Sequence, residues 1–100
     1  MIKNENGYEI KIRNEEIDGV KEWYWPWEDE GLWLGPSQEW YGIKQHILEH
    51  CRGFDTVIQA GGACGMYPKL LSKIFGQVIT FEPDPVNFFF LNLNCKGKNF

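Results

Sequence analysis

The chain has 100 residues, of which 43% are hydrophobic, 16% aromatic and 24% charged, and its formal net charge is −4. This length allows one small domain or part of a larger one, and an acidic balance without a basic block argues against a nucleic-acid partner. No apolar run reaches the roughly 20 residues of a membrane span, and the N-terminal residues lack the apolar segment of a secretory signal, so we expect a cytoplasmic protein without membrane contact.

Two contrasting segments begin the chain. The alternation of apolar and polar residues over 8–12 predicts a short edge strand. Seven tryptophan and tyrosine residues then crowd into 23–41, and we predict that this segment is mostly loop, because residues that break regular structure interrupt it: Pro26, Gly31, Gly35 and Pro36.

A helix is predicted over residues 38–51. Ser37 is suited to cap its N-terminus, and Glu39 lies in the first turn, where the helix dipole favours an anion. Gly53 ends it. Four residues at helical spacing form the predicted apolar stripe: Trp40, Ile43, Ile47 and Cys51. Residues 1–53 are therefore interpreted as an N-terminal extension to a domain that begins at residue 54.

The second half of the chain alternates strands and helices. We predict strands over 55–60 and 77–81, the first buried on both faces, because its centre is apolar at successive positions. A helix over 65–75 joins them, stopped by Gly76 and buried through Met66, Leu70, Leu71 and Ile74. A last helix begins at Asp84 and Pro85, with Val86, Phe89, Phe90 and Leu93 facing inward, and residues 94–99 form a turn. The alternation predicts an α/β fold with a parallel sheet.

Two strands are too few for such a sheet. Natural sheets have about four to six strands, and two parallel strands cannot be covered on both faces by the helices predicted here. We therefore expect a truncated fold, which is the N-terminal piece of a longer protein or is completed by a partner chain or by oligomerisation.

A glycine-rich turn and an acidic residue follow the two predicted strands. Gly61, Gly62 and Gly65 would let a ligand and a helix approach the backbone closely, and Glu82 stands 21 positions after Gly61. A carboxylate at about this distance holds the ribose hydroxyls in nucleotide-binding α/β units. The pattern favours a nucleoside site, although it also fits a tight turn beside a solvated acid.

The pyrophosphate-binding pattern G-x-G-x-x-G is incomplete in either register. Ala60 replaces the first glycine in one register, and Ala63 and Met66 replace the second and third in the other. A nicotinamide or flavin dinucleotide therefore stays an alternative rather than the preferred cofactor.

The run from Asp55 to Tyr67, the string Phe81-Glu-Pro-Asp-Pro85 and the asparagine-containing helix after it resemble the FkbM family of S-adenosylmethionine-dependent methyltransferases. The resemblance covers roughly residues 54–100, and phage-encoded members of the family are similar in having a tryptophan-rich segment before the domain. It implies a Rossmann-like, class I methyltransferase domain, of which 54–100 would be the first half. In a phage-encoded member the expected location is the host cytoplasm.

The resemblance also implies roles for particular residues. Residues 61–65, with Ala63 among them, and the adjoining Met66 would wrap the methionine part of the cofactor, Glu82 would hold its ribose, and Pro83 and Asp84 would lie beside the adenine. Gln59 stands where the family usually has an acid, so it would accept a hydrogen bond from the cofactor's ammonium group without charge assistance. The implied acceptor is an oxygen of a small molecule or glycan, and no catalytic residue is identified.

Other patterns have alternative interpretations. Residues 46–50 match the H-x-x-E-H pattern of a zinc peptidase, but no third ligand is evident and the three cysteines include no C-x-x-C pair, so we expect no metal and reduced thiols. The aromatic segment fits either a carbohydrate-binding surface or a hydrophobic plug over a sheet. A third hypothesis is that the chain is a non-catalytic relic or subunit.

Overall fold

A computed structural model describes residues 7–27, 31–97 and 100, and the backbone alone of residues 2–3. Within these ranges the chain forms strands β1 (Ile2–Lys3), β2 (Glu9–Arg13), β3 (Trp23–Pro26), β4 (Thr56–Ala60) and β5 (Gln77–Phe81). The helices are α1 (Gly31–His50), α2 (Met66–Leu71) and α3 (Pro85–Asn94). The described residues thus confirm an α/β protein, with one antiparallel and one parallel sheet.

The N-terminal half contains an antiparallel sheet in the order β1-β2-β3. The strand predicted at 8–12 is present as β2, but it is the central strand and not an edge, because β3 pairs with it from Arg13↔Trp23 to Ile10↔Pro26. The prediction of loop over 23–41 is wrong. Trp23 and Trp25 both point inward from β3 and are buried. Packing of these rings stabilises the segment as a strand, although Pro26 had suggested irregular structure.

Helix α1 begins seven residues before the predicted start. Pro36 lies inside it, and Ser37 is not its cap but donates from Oγ to the carbonyl of Leu34. Of the predicted stripe, Trp40 is buried and Ile47 half-buried, whereas Ile43 and Cys51 are exposed, which contradicts that part of the prediction. Trp33, which was not predicted, also belongs to the buried stripe: it lies two helical turns before Trp40, on the same face.

The tryptophan residues form the core of this half. The Trp33 ring meets the rings of Trp23 and Trp25 edge-on, with centroids 5.7 Å and 5.2 Å apart. Such contacts add to the burial of large apolar area, which explains why α1 extends through two glycines and a proline.

The parallel pair confirms the predicted strands of the second half. β4 and β5 pair in register from Thr56↔Gln77 to Ala60↔Phe81. Helix α2 between them spans only Met66–Leu71, and residues 72–76 form turns, so the predicted helix over 65–75 is too long. Met66, Leu70 and Leu71 are buried as predicted, and Ile74 is half-buried.

Only one face of the parallel pair is covered. Val78 is 1% exposed on the covered face, whereas Ile58 is 70% and Phe81 58% exposed on the other. The prediction that the first strand is buried on both faces is therefore wrong for the described residues, because successive side chains of β4 alternate between exposed and half-buried.

Helix α3 confirms its predicted start. Asp84 Oδ1 accepts hydrogen bonds from the backbone N–H groups of Val86 and Asn87, and Pro85 is the first helical residue. Phe90 is buried as predicted and Phe89 and Leu93 are half-buried. Val86 is exposed, while Leu91 and Asn94 are buried instead. Residues 98 and 99 of the predicted last turn lie outside the described residues.

Candidate functional site

The glycine turn between β4 and α2 is attached to the end of β5. The backbone N–H groups of Gly61 and Gly62 both donate to the carbonyl of Phe81, each at 2.9 Å. The carboxyl ends of the two parallel strands therefore lie side by side, as the parallel pairing predicts. This edge brings together the glycine turn and the acid that follows β5.

Glu82 lies directly against the glycine turn. Its Oε1 accepts a hydrogen bond from the N–H of Ala63 at 2.8 Å, and its Oε2 accepts one from the N–H of Asp84 at 3.0 Å. The side chain is half-buried. A carboxylate has about four acceptor positions, so two of them stay available after these bonds are made. The backbone thus fixes the orientation of the charge while leaving it able to accept from a ligand.

The three glycines of the turn have different roles. A Cβ on Gly62 would collide with Leu91 Cδ1 and lie 2.6 Å from Thr80 Oγ1, so this glycine is required by packing against β5 and α3. Gly65, at φ +96°, would place a Cβ 3.2 Å from Leu91 Cα and 3.3 Å from Asn94 Cβ, so it packs closely against α3. Gly61, at φ +73°, has open space where its Cβ would be. Among these three, Gly61 is the position whose missing side chain leaves room for a ligand.

Ala63 has an unusual backbone conformation. Its φ of +50° lies in the left-handed region, which a residue with a Cβ adopts at a cost in energy. This conformation points its N–H at Glu82. Nothing in the residue type signals this arrangement, so the sequence could not reveal it.

The side chain of Gln59, on β4, forms hydrogen bonds with the start of the glycine turn and with β5. Its Nε2 donates to the carbonyls of Ala60 at 3.0 Å and Gly61 at 3.2 Å, and its Oε1 accepts from the hydroxyl of Thr80 at 2.8 Å. A carbonyl oxygen has two lone pairs, so one acceptor position of Gln59 is left. Thr80 was not identified from the sequence, although it pairs with Gln59 in the parallel register.

Two cavities adjoin this edge. The larger, of about 740 Å³, is lined by residues of β5 and α3, among them Phe81, Phe88 and Leu91, and by Glu82 and Pro83. Asp84 is not among its lining residues, because its carboxylate caps α3. Pro83 is thus placed beside space that a planar ring could fill, whereas Asp84 has a structural role.

The smaller cavity, of about 220 Å³, lies on the glycine turn itself. Residues of the turn, including Gly61, Ala63 and Met66, form one side of it. The N-terminal half supplies Trp25, Leu32 and Pro36, and α2 supplies Tyr67. None of these last four was expected at the glycine turn from the sequence, since no local pattern shows that the aromatic segment folds over the turn.

Two side chains of α2, Tyr67 and Lys69, have shifted pKa values. Burial, and then the nearby Glu39 carboxylate, raise the pKa of Tyr67, whose hydroxyl donates to Glu39 Oε2 at 3.3 Å. Burial lowers the pKa of Lys69, which donates to the carbonyl of Glu22 and lies over the Trp23 ring. Neither lines the larger cavity.

No disulfide joins the three cysteines, all of which lie within the described residues. Cys64 and Cys95 are buried and Cys51 is exposed. Burial raises the pKa of Cys95 to about 12, so its thiol stays protonated and unreactive at neutral pH.

The two alternative sites of the N-terminal half find little support. His46 and His50 are exposed on α1 with ring centroids 4.3 Å apart, and no group of three metal-binding side chains occurs among the described residues. Four tryptophans of the aromatic segment have no exposed ring face to stack on a sugar, since Trp23, Trp25, Trp33 and Trp40 are buried. Trp27, 40% exposed, is the exception.

Comparisons with known proteins give no relative. No family model, no curated protein and no solved structure matches this chain. In the part of the chain that the structure describes, none of the helices combines the length and the apolar character needed to cross a membrane.

Proposed function

We propose that this chain carries the cofactor-binding half of an S-adenosylmethionine-dependent methyltransferase with a Rossmann-like, class I domain. The observation that carries the proposal is the hydrogen bond between Glu82 Oε1 and the N–H of Ala63. It joins the acidic side chain after β5 to the glycine turn after β4, the neighbouring parallel strand. An adenosyl group needs both: backbone that it can approach and a carboxylate for adjacent ribose hydroxyls.

Different residues at this edge bind different parts of the cofactor. Glu82 accepts from the ribose hydroxyls through its two remaining acceptor positions, and Gly61 leaves space on the turn. Pro83, which lines the larger cavity, lies beside the adenine. Gln59 accepts from the ammonium group with the one lone pair that Thr80 leaves it.

The bound cofactor supplies an electrophilic methyl group, and the protein contributes alignment. Transfer to an oxygen acceptor, on a small molecule or a glycan, depends on in-line positioning and on removal of the acceptor's proton. The described residues bind and orient the cofactor. No base is assigned among them.

A dinucleotide such as NAD is the alternative ligand. A pyrophosphate is bound by the N-terminus of a long helix after the glycine turn, but α2 has only six residues and the glycine pattern is incomplete. Both features favour the adenosyl cofactor. A non-catalytic subunit is the remaining alternative, and it would use the same fold without this site.

The uncovered face of the β4–β5 pair supports the idea that further polypeptide completes the sheet. Parallel sheets are covered on both faces almost without exception, yet Ile58, Ile79 and Phe81 are exposed here. We infer that this face is covered by a partner chain or a second copy. Sedimentation of the purified chain tests this inference, since a stable monomer at all concentrations would contradict oligomerisation.

Calorimetric titration tests the proposed cofactor. The chain is titrated with S-adenosylhomocysteine and, in a parallel experiment, with NAD. Saturable heat with S-adenosylhomocysteine alone supports the proposal. Binding of NAD alone would replace it with the dinucleotide alternative, and no binding of either would favour the non-catalytic one.

A further inference from the structure

Two histidines of α1 lie side by side on the surface of the protein. His46 and His50 are separated by about one helical turn, so both side chains are on the same face of the helix. The centroids of their rings are 4.3 Å apart, and the ring planes are tilted by 43°. Both residues are exposed, and within the described part of the chain neither ring forms a hydrogen bond or an ion pair. Two imidazole rings in contact with each other are thus open to solvent.

We propose that His46 and His50 together chelate one divalent transition-metal ion, such as zinc, nickel or copper. The inference is independent of the proposed cofactor, because neither histidine lines either of the two cavities. The site also differs from a zinc peptidase centre, which needs a third protein ligand that the described residues do not provide. The expectation of no metal depended on that third ligand. Here two imidazoles hold the ion, and water molecules occupy its remaining positions.

The separation of the two rings is close to the one that chelation requires. A metal–nitrogen distance of about 2.1 Å places the ring centre about 3.2 Å from the ion, so two rings bound at a right angle have centres about 4.5 Å apart. The observed separation of 4.3 Å is nearly the same. The helical backbone maintains this spacing to the end of α1, where the N–H of Cys51 donates to the carbonyl of Ile47 at 2.9 Å. The fold therefore holds the two ligands near each other before an ion binds, which reduces the entropy lost on binding.

The ligand type and the surrounding charge favour a transition metal. Imidazole nitrogen suits zinc, copper and nickel, whereas calcium and magnesium prefer oxygen ligands. Two cations flank the pair in sequence: Lys44, which forms an ion pair with Asp18 at 2.9 Å, and Arg52, which lies beyond the end of the helix. Glu49, between the two histidines in sequence, and the formal net charge of −4 act in favour of a bound cation.

A bound ion stabilises the C-terminal end of α1. The two rings are held together only while residues 46–50 are helical, so the ion binds the folded chain more tightly than the unfolded chain. Binding of this kind raises the free energy of unfolding as the metal concentration increases. His50 is the last residue of α1, and β4 follows from Thr56. The ion therefore stabilises the part of the helix that precedes the parallel strands.

Calorimetric titration of the full chain, without a purification tag, with nickel chloride or zinc chloride measures the affinity. The matched control is the double variant Gln45→His/His46→Gln, which keeps two histidines but moves one of them to a different face of the helix. The three cysteines stay in place, so any binding by a thiol is the same in both chains. We expect the unmodified chain to bind one ion and the control to bind at least about tenfold more weakly, because its second imidazole no longer reaches the same ion.

A second variant, His50→Ala, removes one ligand at an exposed position at the end of α1, so the chain is expected to fold and to lose affinity by a similar factor. Urea unfolding with and without nickel chloride provides a readout besides binding. The metal should raise the unfolding midpoint of the unmodified chain and leave those of both variants nearly unchanged. Equal nickel affinity in the three chains, or no binding by the unmodified chain, would overturn the inference. Neither result affects the proposed cofactor, whose titration uses S-adenosylhomocysteine without metal.

Discussion

The side chain of Asn94 pairs with both backbone polar groups of Tyr24. Its Oδ1 accepts from the Tyr24 N–H at 2.8 Å, and its Nδ2 donates to the Tyr24 carbonyl at 2.7 Å. The same Nδ2 donates to the carbonyl of Cys64 at 2.7 Å. One amide on α3 thus takes the place of a neighbouring strand at the edge of β3 and joins it to the glycine turn, 70 residues away from Tyr24 in sequence.

Replacing Asn94 should destabilise the whole fold. Asn94 is 3% exposed, so Asn94→Ala leaves the Tyr24 N–H and two carbonyls without their partner in a place that water reaches poorly. We expect the free energy of unfolding to fall by about 2–4 kcal/mol, since each unsatisfied buried group costs about 1–3 kcal/mol and the site relaxes in part. Urea unfolding followed by tryptophan fluorescence measures the change.

Asn92→Ala is the matched control. Asn92 lies on the same helix but is exposed, so its replacement should change the free energy of unfolding by no more than about 0.5 kcal/mol. Equal effects of the two substitutions would show that the Asn94 amide does not join the two halves.

Glu82→Ala should weaken the binding of S-adenosylhomocysteine by about 1–3 kcal/mol, because ribose hydroxyls lose a charged acceptor. Calorimetry measures the affinity. Asp55→Ala is the comparison, since Asp55 is an exposed acid just before β4, at the opposite end of the strand. Unaltered affinity in Glu82→Ala, or an equal loss in both variants, would contradict the role proposed for Glu82.

Adding one methyl group to two glycines should have opposite effects. Gly62→Ala places a Cβ against Leu91 and Thr80, and overpacking of this kind costs about 1–3 kcal/mol. Gly42→Ala meets nothing within 4 Å in the middle of α1, so it should stabilise the protein by about 0.5–1 kcal/mol. Thermal unfolding of both variants checks the signs. A stabilised Gly62→Ala would show that the turn is not packed against α3.

Acid should weaken the contact between the Ile17–Val20 turn and α1. Hydrogen bonds from Lys44, at 2.9 Å, and from Trp40 Nε1, at 3.1 Å, hold the pKa of Asp18 below its ordinary value of 3.8. Because the pKa is lower in the folded state, this stabilisation is present above 3.8 and is lost as the pH falls through the folded pKa.

Unfolding measured at about pH 6 and about pH 3 tests this expectation. Asp18→Asn should lose part of the stability at the higher pH and show a smaller fall towards the lower one. Asparagine tolerates the left-handed conformation of this residue, φ +50°, so the backbone is left undisturbed. Glu16→Gln, at an exposed site in the preceding loop, should leave the pH dependence as it is. An identical acid response in Asp18→Asn would contradict the assignment.

Local patterns predicted the second half of the chain well. Strand β5 has the predicted bounds, and Asp84 caps α3 as an aspartate before a proline should. The nearness of Glu82 to the glycine turn followed from the parallel arrangement of two successive strands. These features depend on residues close in sequence, or on the rule that parallel strands end at one edge.

The sequence by itself therefore determined the strand–turn–helix–strand unit and the acid at its edge, since hydrophobic alternation, glycine and proline act over a few neighbouring residues. Tertiary structure alone decided that the tryptophan segment is a strand and a long helix, because burial of Trp23, Trp33 and Trp40 outweighs the local preferences of Gly35 and Pro36. It also decided that this segment folds over the glycine turn beside Tyr67. Contacts between residues that are distant in the chain produce no periodic pattern in the sequence, so local patterns cannot predict them.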